Sequence, residues 1–237
     1  MLCRVAISMR VVETTAYQEP RDALSQNWFG FLKSCGIMPI LVPNVAENAI
    51  SYLEGIEVRG VILTGGNNVC PATYGGDSSA PISDAFPGRD ETEAILIDWA
   101  ISSRLPLLGT CRGMQMLNAH FGGTILTDLE SQVPGVGNHV ACEHKVQVTM
   151  SRMVKRFGFE ELVTNSYHKQ GLTERELAEP LEHWAVTPEG GVIEAVMHRE
   201  RPLVGIQWHP ERPNRAAEFD RALLRCLFLD GDLFGHR

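Results

Sequence analysis

The stretch Leu107-Leu-Gly-Thr-Cys-Arg-Gly-Met-Gln115 predicts an apolar strand that turns directly into a helix, with Cys111 at the junction. A strand-to-helix elbow of this kind lifts a nucleophile above the edge of a sheet. Gly109 and Gly113 stand two residues to either side of the cysteine. Because glycine has no side chain, the turn can tighten and the helix can pack closely. The backbone N–H of Arg112 then points to where an oxyanion would form. The pattern alone is also compatible with a small buried cysteine at a sheet edge.

Apolar strands alternate with helices through the half of the chain that surrounds this elbow. The strands are predicted at residues 3–9, 37–43, 58–64 and 105–110, and the helices at 20–36, 45–53, 89–103 and 112–121. Pro20, a typical first helical residue, and Gly36, a typical stop, define the first of these helices. Continuous apolar strands separated by helices indicate a mostly parallel central sheet with helices on both faces, a three-layer α/β fold.

The second half of the chain has a different character. Shorter, partly alternating strands are predicted at residues 139–150, 183–187, 191–197 and 203–208, with little helix between them, and a final helix at 213–229. No internal repeat, low-complexity segment or linker interrupts the sequence. We therefore predict one domain over residues 1–237.

The composition narrows the function classes. The 237 residues are 44% hydrophobic and 21% charged, which excludes a disordered, collagen-like or coiled-coil protein. With 21 basic and 29 acidic residues, a net charge of −8 and no basic run, the chain is not expected to bind nucleic acid. No apolar stretch of about 18 residues and no signal peptide are present, which predicts no membrane partner and a cytoplasmic location. The six cysteines contain no C-x-x-C pair, so we expect neither a metal nor a cofactor.

Two further motifs supply the partners that a nucleophilic cysteine needs. The segment Gly205-Ile-Gln-Trp-His-Pro-Glu211 brings a histidine and a carboxylate to the end of a strand. Imidazole can accept the thiol proton, and a carboxylate can orient the imidazole. The segment Leu63-Thr-Gly-Gly-Asn67 ends a strand in two glycines, whose backbone N–H groups can supply a second oxyanion donor. Taken alone, this second segment is also typical of an ordinary turn between a strand and a helix.

Three motifs follow one another along the chain: Thr-Gly-Gly, Gly-Thr-Cys-Arg-Gly-Met-Gln and His-Pro-Glu. In this order they resemble the motifs of the class I glutamine amidotransferase domain, and the resemblance covers essentially the whole chain. The resemblance implies a flavodoxin-like fold and a catalytic triad of Cys111, His209 and Glu211. The triad would cleave a small-molecule γ-glutamyl amide through a γ-glutamyl thioester. The resemblance also implies oxyanion donors at Gly66 and Arg112.

The same resemblance implies how the glutamyl half of a substrate is held. Gln115 would bind the γ-glutamyl group. The segment Asn165-Ser-Tyr-His168 resembles the one that holds the glutamyl amine and carboxylate, which implies this role for Ser166 and Tyr167. His168 is a rival candidate for the base, but its place in the chain matches the substrate-holding segment, and His209 fits the triad better.

Two subfamilies match the loops that would face the leaving amine. Residues 65–75 and Arg89-Asp-Glu-Thr-Glu93 resemble the γ-glutamyl-γ-aminobutyrate hydrolases, and Asn67 is a predicted substrate contact there. The loop departs from that subfamily's pattern at Asn68 and Cys70.

The N-terminal third is more similar to the γ-glutamyl-CDP-amidate hydrolases, which release cytidine diphosphoramidate for capsule polysaccharide. This resemblance implies that Arg10, Tyr17 and Arg21 lie near a nucleotide, where guanidinium groups pair with phosphate. Arginines in a first loop are also commonly just solvated. Two other hypotheses remain: a glutaminase subunit that feeds ammonia to a separate synthase, and an interaction protein with an inactive site. The intact Cys-His-Glu set argues against the last. The sequence leaves a homo-oligomer open.

Overall fold

A computed structural model of the chain, which describes residues 2–13, 19–77 and 83–231, has a nine-stranded sheet that runs through both halves of the sequence. In chain order the strands are β1 (Cys3–Ser8), β2 (Arg10–Glu13), β3 (Pro20–Ala23), β4 (Ile37–Val42), β5 (Val61–Leu63), β6 (Leu107–Thr110), β7 (Val140–Val148), β8 (Glu161–Tyr167), β9 (Leu181–Val186), β10 (Ile193–His198) and β11 (Leu203–Ile206). The sheet order is β4-β1-β5-β6-β11-β10-β9-β7-β8, and β2 and β3 form a separate antiparallel pair.

The strands β4, β1, β5, β6 and β11 are parallel, and the remaining pairs of the sheet are antiparallel. The helices are α1 (Asn27–Ser34), α2 (Ala49–Leu53), α3 (Pro87–Ser102), α4 (Arg112–His120), α5 (Leu129–Gln132), α6 (Ser151–Phe157) and α7 (Ala217–Arg225), which continues as a π-helical turn over Cys226–Asp230. Short 3₁₀ turns occupy Ala46–Asn48 and Pro71–Tyr74. None of the helices in the described ranges is long and apolar enough to cross a membrane.

Two hydrophobic cores lie on opposite faces of the sheet. In β1, Val5 and Ile7 belong to the core that contains α1 and α7, whereas Ala6 belongs to the core that contains α2, α3 and α4. Successive residues of a strand point to opposite faces, so a strand covered on both sides must be apolar throughout. The predicted three-layer architecture is confirmed.

The structure corrects the first predicted helix. Residues 20–23 form β3, which pairs with β2, and α1 begins only at Asn27. The missing N–H of Pro20 is tolerated at the first residue of an edge strand as well as at the start of a helix, so the proline did not distinguish the two. The helix α6 and the strand β8 were not predicted. For β8 the reason is that the Asn165-Ser166 pair has the composition of a loop, although both residues are buried.

The parallel part of the sheet positions the candidate site. Leu63 of β5 and Gly205 of β11 are both in register with Gly109 of β6. The carboxyl ends of these three strands therefore meet at one edge, the place where open α/β sheets bind ligands. The segments that follow the three strands are the Thr-Gly-Gly segment, the Cys111 elbow and the His-Pro-Glu segment.

Candidate active site

Cys111 occupies the turn between β6 and α4 in an uncommon backbone conformation, with φ 50° and ψ −108°. A positive φ is rare for a residue other than glycine and persists only where the surroundings hold it. Here the Cys111 N–H donates to the carbonyl of Ile206 at 2.8 Å, and the Cys111 carbonyl accepts from the N–H of Met114 at 3.1 Å. The strand and the helix thus both hold the elbow.

The two glycines beside the elbow permit this close packing, as predicted. A Cβ atom on Gly109 would lie 2.4 Å from the carbonyl oxygen of Gly113. A Cβ atom on Gly113 would lie 2.2 Å from the carbonyl oxygen of Leu63. Since both distances are far below van der Waals contact, any larger residue would push α4 away from the sheet.

The histidine and the carboxylate of the predicted triad form a pair. Nδ1 of His209 lies 3.0 Å from Oε1 of Glu211, and both side chains are almost completely buried. With Nδ1 facing Glu211, Nε2 is left for Cys111. Burial lowers the pKa of His209, but the charge and hydrogen bond of Cys111, together with Glu211, outweigh it and raise that pKa to about 9. The histidine can therefore hold a proton as the partner of a thiolate.

Asn165 of β8 fixes the backbone of His209, a role that the sequence did not reveal. Its Oδ1 accepts from the His209 N–H at 2.9 Å, and its Nδ2 donates to the His209 carbonyl at 2.8 Å. One amide thereby satisfies both backbone groups of a buried residue.

The two predicted oxyanion donors line the same cavity of about 600 Å³ as Cys111 and His209. Gly66 has φ 105°, a conformation that favours glycine, and a Cβ there would lie 2.8 Å from the Cβ of Arg10. As the first residue of α4, Arg112 has a backbone N–H without an acceptor inside its own helix.

Arg89 holds the loop that carries Gly66. The guanidinium is completely buried, and its Nη2 donates to the carbonyls of Thr64 at 2.6 Å and Gly65 at 3.1 Å. Its Nε donates to Oε1 of Glu93 at 3.0 Å. A rigid planar fork of this kind can fix several acceptors at once.

The side chain of Arg112 points away from the cavity and completes what we call the arginine–carboxylate network, formed by Arg89, Asp90, Glu93 and Arg112. Its two terminal nitrogens pair with Asp90 and Glu93, and all four side chains are buried. Burial raises the pKa of Glu93, but Arg112 and Arg89 outweigh it, and the pKa lies below its ordinary value. The network contains two cations and two anions, so it is balanced internally.

Asn67 was predicted to contact the substrate, but its side chain is buried and is not part of the cavity wall. Its Oδ1 accepts from the Val11 N–H at 2.7 Å and from Arg89 at 3.1 Å, and its Nδ2 donates to the Val11 carbonyl and to Asp84. Every hydrogen-bonding position of this buried amide is used inside the protein. The neighbouring Asn68, rather than Asn67, lines the cavity.

The residues predicted to hold the glutamyl group lie beside the cavity. Gln115 and Tyr167 line it, and Nε2 of Gln115 donates to the carbonyl of Gln170 at 3.1 Å, which leaves its carbonyl oxygen for a ligand. The Tyr167 ring lies between His209 and the guanidinium of Arg212, which stands 4.3 Å from the ring centroid. Ser166 is completely buried, and its hydroxyl donates to a backbone carbonyl at 2.7 Å.

The structure separates the predicted nucleotide contacts. Arg10 lines the cavity and pairs with Asp84 at 3.5 Å. Arg21, on β3, pairs with Glu19 at 2.9 Å and is absent from the lining of this cavity. Tyr17 lies outside the described residues.

His168 faces away from the triad into a group that could hold a metal. Its Nε2 lies 3.3 Å from Nδ1 of His139 and 3.6 Å from Oε1 of Glu194. These three side chains are all buried, and we call them the histidine–glutamate cluster. Burial is the main reason why the pKa of His168 falls to about 4. His168 is therefore a neutral imidazole at neutral pH.

Comparisons with known proteins identify the family and the fold. The family model described as Peptidase C26 matches residues 4–211. YvdE of Lactococcus lactis, described as a glutamine amidotransferase-like protein, is 29% identical over 88% of each chain. The γ-glutamyl-γ-aminobutyrate hydrolase PuuD of Escherichia coli is 31% identical over 87% of this chain and 84% of its own. The structure of a glutamine amidotransferase from Thermotoga maritima matches with a TM-score of 0.63 at 14% identity and covers 96% of both chains, which confirms the predicted fold.

Proposed function

Because the chain belongs to the Peptidase C26 family of cysteine-dependent amide hydrolases, we propose that it hydrolyses a small-molecule γ-glutamyl amide with Cys111 as the nucleophile. The observation that carries this proposal is that Cys111 and His209 line one cavity with Gly66 and Arg112, and that His209 is paired with Glu211. The similarity to PuuD, a γ-glutamyl amide hydrolase by name, supports the bond that is cleaved.

In the first half of the reaction, the Cys111 thiolate attacks the γ-carbonyl carbon and the carbonyl electrons move to oxygen. The N–H groups of Gly66 and Arg112 stabilise this oxyanion, and one such donor is worth about 2.7–4 kcal/mol in comparable sites. The protonated His209 then donates its proton to the leaving nitrogen, the C–N bond breaks, and a γ-glutamyl thioester on Cys111 remains.

In the second half, neutral His209 removes a proton from water as the water attacks the thioester. The tetrahedral intermediate collapses, the C–S bond breaks, and glutamate leaves. The Cys111 thiolate and the protonated His209 are regenerated, so the cycle closes without a cofactor. Glu211 orients His209 and stabilises its charged form throughout.

The leaving amine carries an anionic group in this proposal. Arg10, Lys169 and Arg212 line the cavity, and Asp84 is the carboxylate that lines it with them. A carboxylate such as that of γ-aminobutyrate is the simplest group that such a wall would bind. We rank this leaving group first, because Arg21, the second arginine of the predicted phosphate contact, stands apart from the cavity wall. Cytidine diphosphoramidate, released from γ-glutamyl-CDP-amidate, is the second candidate and rests on the N-terminal resemblance and on Arg10.

The proposal is tested by a mass-spectrometric screen with γ-glutamyl-γ-aminobutyrate, γ-glutamyl-CDP-amidate and free glutamine. The wild type should release glutamate from at least one of them, and Cys111→Ala should reduce turnover by about 10³-fold or more. Cys3→Ala is the matched control and should retain activity, because Cys3 is the first residue of β1 and lies at the opposite edge of the sheet from the cavity. Undiminished turnover in Cys111→Ala would contradict the assignment of Cys111 as the nucleophile. A wild-type protein that cleaves none of the three compounds would favour an interaction protein. Rapid hydrolysis of free glutamine alone would favour a glutaminase.

The leaving group is tested by a second pair of variants. Arg10→Ala should raise KM for the preferred anionic amide, and Arg21→Ala should leave it unchanged. If both substitutions raise KM for γ-glutamyl-CDP-amidate and neither affects a neutral γ-glutamyl amide, the nucleotide becomes the first candidate. Equal effects on charged and neutral amides would contradict recognition of an anionic amine.

A further inference from the structure

The histidine–glutamate cluster brings together side chains from three separate strands. His139 immediately precedes β7, His168 immediately follows β8, and Glu194 lies on β10. Nδ1 of His139 and Nε2 of His168 are 3.3 Å apart, and each lies 3.6 Å from Oε1 of Glu194. All three side chains are at least nine-tenths buried. The three atoms form a nearly regular triangle in the interior.

The size of this triangle indicates what it can hold. Zinc binds nitrogen and oxygen at about 2.0–2.2 Å, and tetrahedral geometry then places neighbouring ligand atoms about 3.3–3.6 Å apart. A water molecule that forms hydrogen bonds of about 2.8–3.0 Å in the same geometry needs partners about 4.6–4.9 Å apart. The observed edges match the face of a metal tetrahedron and are too short for a tetrahedral water.

The orientation of His168 supports the same conclusion. Its Nδ1 lies 2.9 Å from the carbonyl of Gln170, a contact that requires an N–H on Nδ1. Nε2, which lies in the triangle, is then the ring nitrogen that can offer a lone pair. Histidines that bind metals commonly donate their other N–H to a carbonyl in this way, which sets the tautomer.

Glu194 is the second, independent observation. The side chain is completely buried, and in the described part of the chain its carboxylate oxygens are approached by the imidazoles of His139, His144 and His168 at 3.4–3.6 Å without a well-formed hydrogen bond. Oε2 lies 3.4 Å from Nε2 of His144, which borders the cluster. A buried carboxylate is destabilising unless it is paired or bound to a metal. If His139 simply donated a hydrogen to His168, whose own N–H faces the carbonyl of Gln170, Oε1 of Glu194 would still lack a hydrogen-bond donor.

We propose that the histidine–glutamate cluster binds one divalent first-row transition-metal ion of the zinc type, with His139, His168 and Glu194 as ligands and a fourth position open. Two imidazoles and one carboxylate suit such an ion better than magnesium or calcium. A cavity of about 140 Å³, lined in part by His139 and His168, offers an access route. This proposal departs from the expectation of no metal that the cysteine spacing suggested.

The proposed ion has a structural role beside the substrate cavity. His168 and its neighbours Tyr167, Lys169 and Gln170 line that cavity, and coordination would tie this segment to β10. His144 would act as a positioning residue, because its ring approaches the carboxylate oxygen that the metal does not use.

Zinc content is the direct test, and it is made in Cys111→Ala so that the active-site thiolate and His209 do not form a second zinc site. Protein stripped with EDTA is incubated with zinc sulfate, dialysed, and measured by elemental mass spectrometry and thermal unfolding. We expect about one zinc per chain and a raised Tm. Adding Glu194→Gln or His139→Ala should abolish both effects. His183→Gln, which alters another partly buried histidine, should retain them. His144→Phe should weaken zinc affinity about 10–100-fold.

Zinc retention that is equal in Glu194→Gln, His139→Ala and His183→Gln would overturn the proposal, as would no retained zinc in the parent protein. If the cluster variants do not fold, cobalt(II) substitution of the Cys111→Ala parent decides. An intense visible spectrum typical of four-coordinate cobalt supports the site. A weak six-coordinate spectrum, or none, contradicts it.

Discussion

Two buried charged groups flank Cys111, and they differ in how their charges are compensated. The arginine–carboxylate network lies behind the loop that carries Gly66, and its two cations face its two anions. The histidine–glutamate cluster lies behind the segment that contains Tyr167, and its carboxylate is approached by imidazole nitrogens at 3.4–3.6 Å, without a well-formed hydrogen bond in the described part of the chain. In the first group each charge is paired with an opposite charge of the protein, and of the four side chains only Arg112 keeps a buried nitrogen, Nε, without a hydrogen-bond partner among the described residues. The second has the form of a site that something else completes.

The difference teaches that burial of charge has two separate uses in this molecule. In the network, each ionic group depends on the others, because removal of one leaves an uncompensated charge in a region of low dielectric. Because Arg89 is fixed by the other members of the network, it holds the carbonyls of Thr64 and Gly65 in place. In the cluster, Nε2 of His168 can offer a lone pair instead of a hydrogen, because its Nδ1 donates to the carbonyl of Gln170.

The largest expected effect is on stability, from Glu93→Gln. The substitution leaves Arg89 and Arg112 buried with one anion, and loss of one partner from a buried pair costs about 3–5 kcal/mol. The free energy of unfolding in urea measures it. Glu57→Gln is the matched control, because Glu57 pairs with Arg59 at an exposed site and should change little. Similar values for the two variants would show that the network is not coupled.

The next effect is on catalysis, from Arg89→Lys. Lysine keeps the charge but has a single nitrogen, whereas Arg89 binds the two loop carbonyls with Nη2 while Nε and Nη1 bind Glu93 and Asn67. Gly66 should therefore no longer be held in place. We expect kcat to fall by about 10²-fold with a smaller change in KM, as when an oxyanion donor is lost. Steady-state kinetics with the substrate found in the screen measure this. Arg59→Lys serves as the control, and an unchanged kcat in Arg89→Lys would disconnect the network from the loop.

Metal removal should affect only the other group. With free zinc at about ten times its Kd, binding should lower the population of the locally opened state about tenfold, and the rate of hydrogen exchange with it. Hydrogen exchange should therefore be faster after EDTA treatment for the amides of β10 and of residues 166–170, and unchanged for residues 64–67. Equal acceleration in both segments would mean that the two groups are not independent.

The smallest expected effect is a shift in the pH dependence of the reaction. The pKa of His209 is raised to about 9, so kcat/KM should fall above that pH as the proton for the leaving nitrogen is lost. Glu211→Gln removes one cause of the raised pKa and should move this alkaline limb to lower pH by about one unit, which corresponds to about 1.4 kcal/mol. Arg89→Lys and Glu194→Gln should leave the limb in place. A limb that moves in those variants would place their charges in direct contact with the triad.

Local patterns predicted the parallel half of the fold well and the antiparallel half less well. The elbow depends on residues adjacent in sequence, so the apolar strand, the glycines and the helix start could be recognised together. The strand β8 was missed because its middle residues are polar. Asn165 is buried there only because the backbone of His209 passes beside it. Pro20 was assigned to a helix because the pairing of β3 with β2 is not visible in a local pattern.

The sequence by itself determined the alternation of strands and helices, the place of Cys111 at the elbow and the proximity of His209 to Glu211. Each of these depends on a short segment whose spacing has a direct physical meaning. The tertiary structure decided the rest. It determined that Asn165 binds the backbone of His209, that Arg89 binds the loop that carries Gly66, and that Asn67 binds the backbone of Val11. It also decided the separation of Arg10 from Arg21 and the meeting of His139, His168 and Glu194. These contacts join residues from separate segments, and only the order and register of the strands bring such residues within bonding distance.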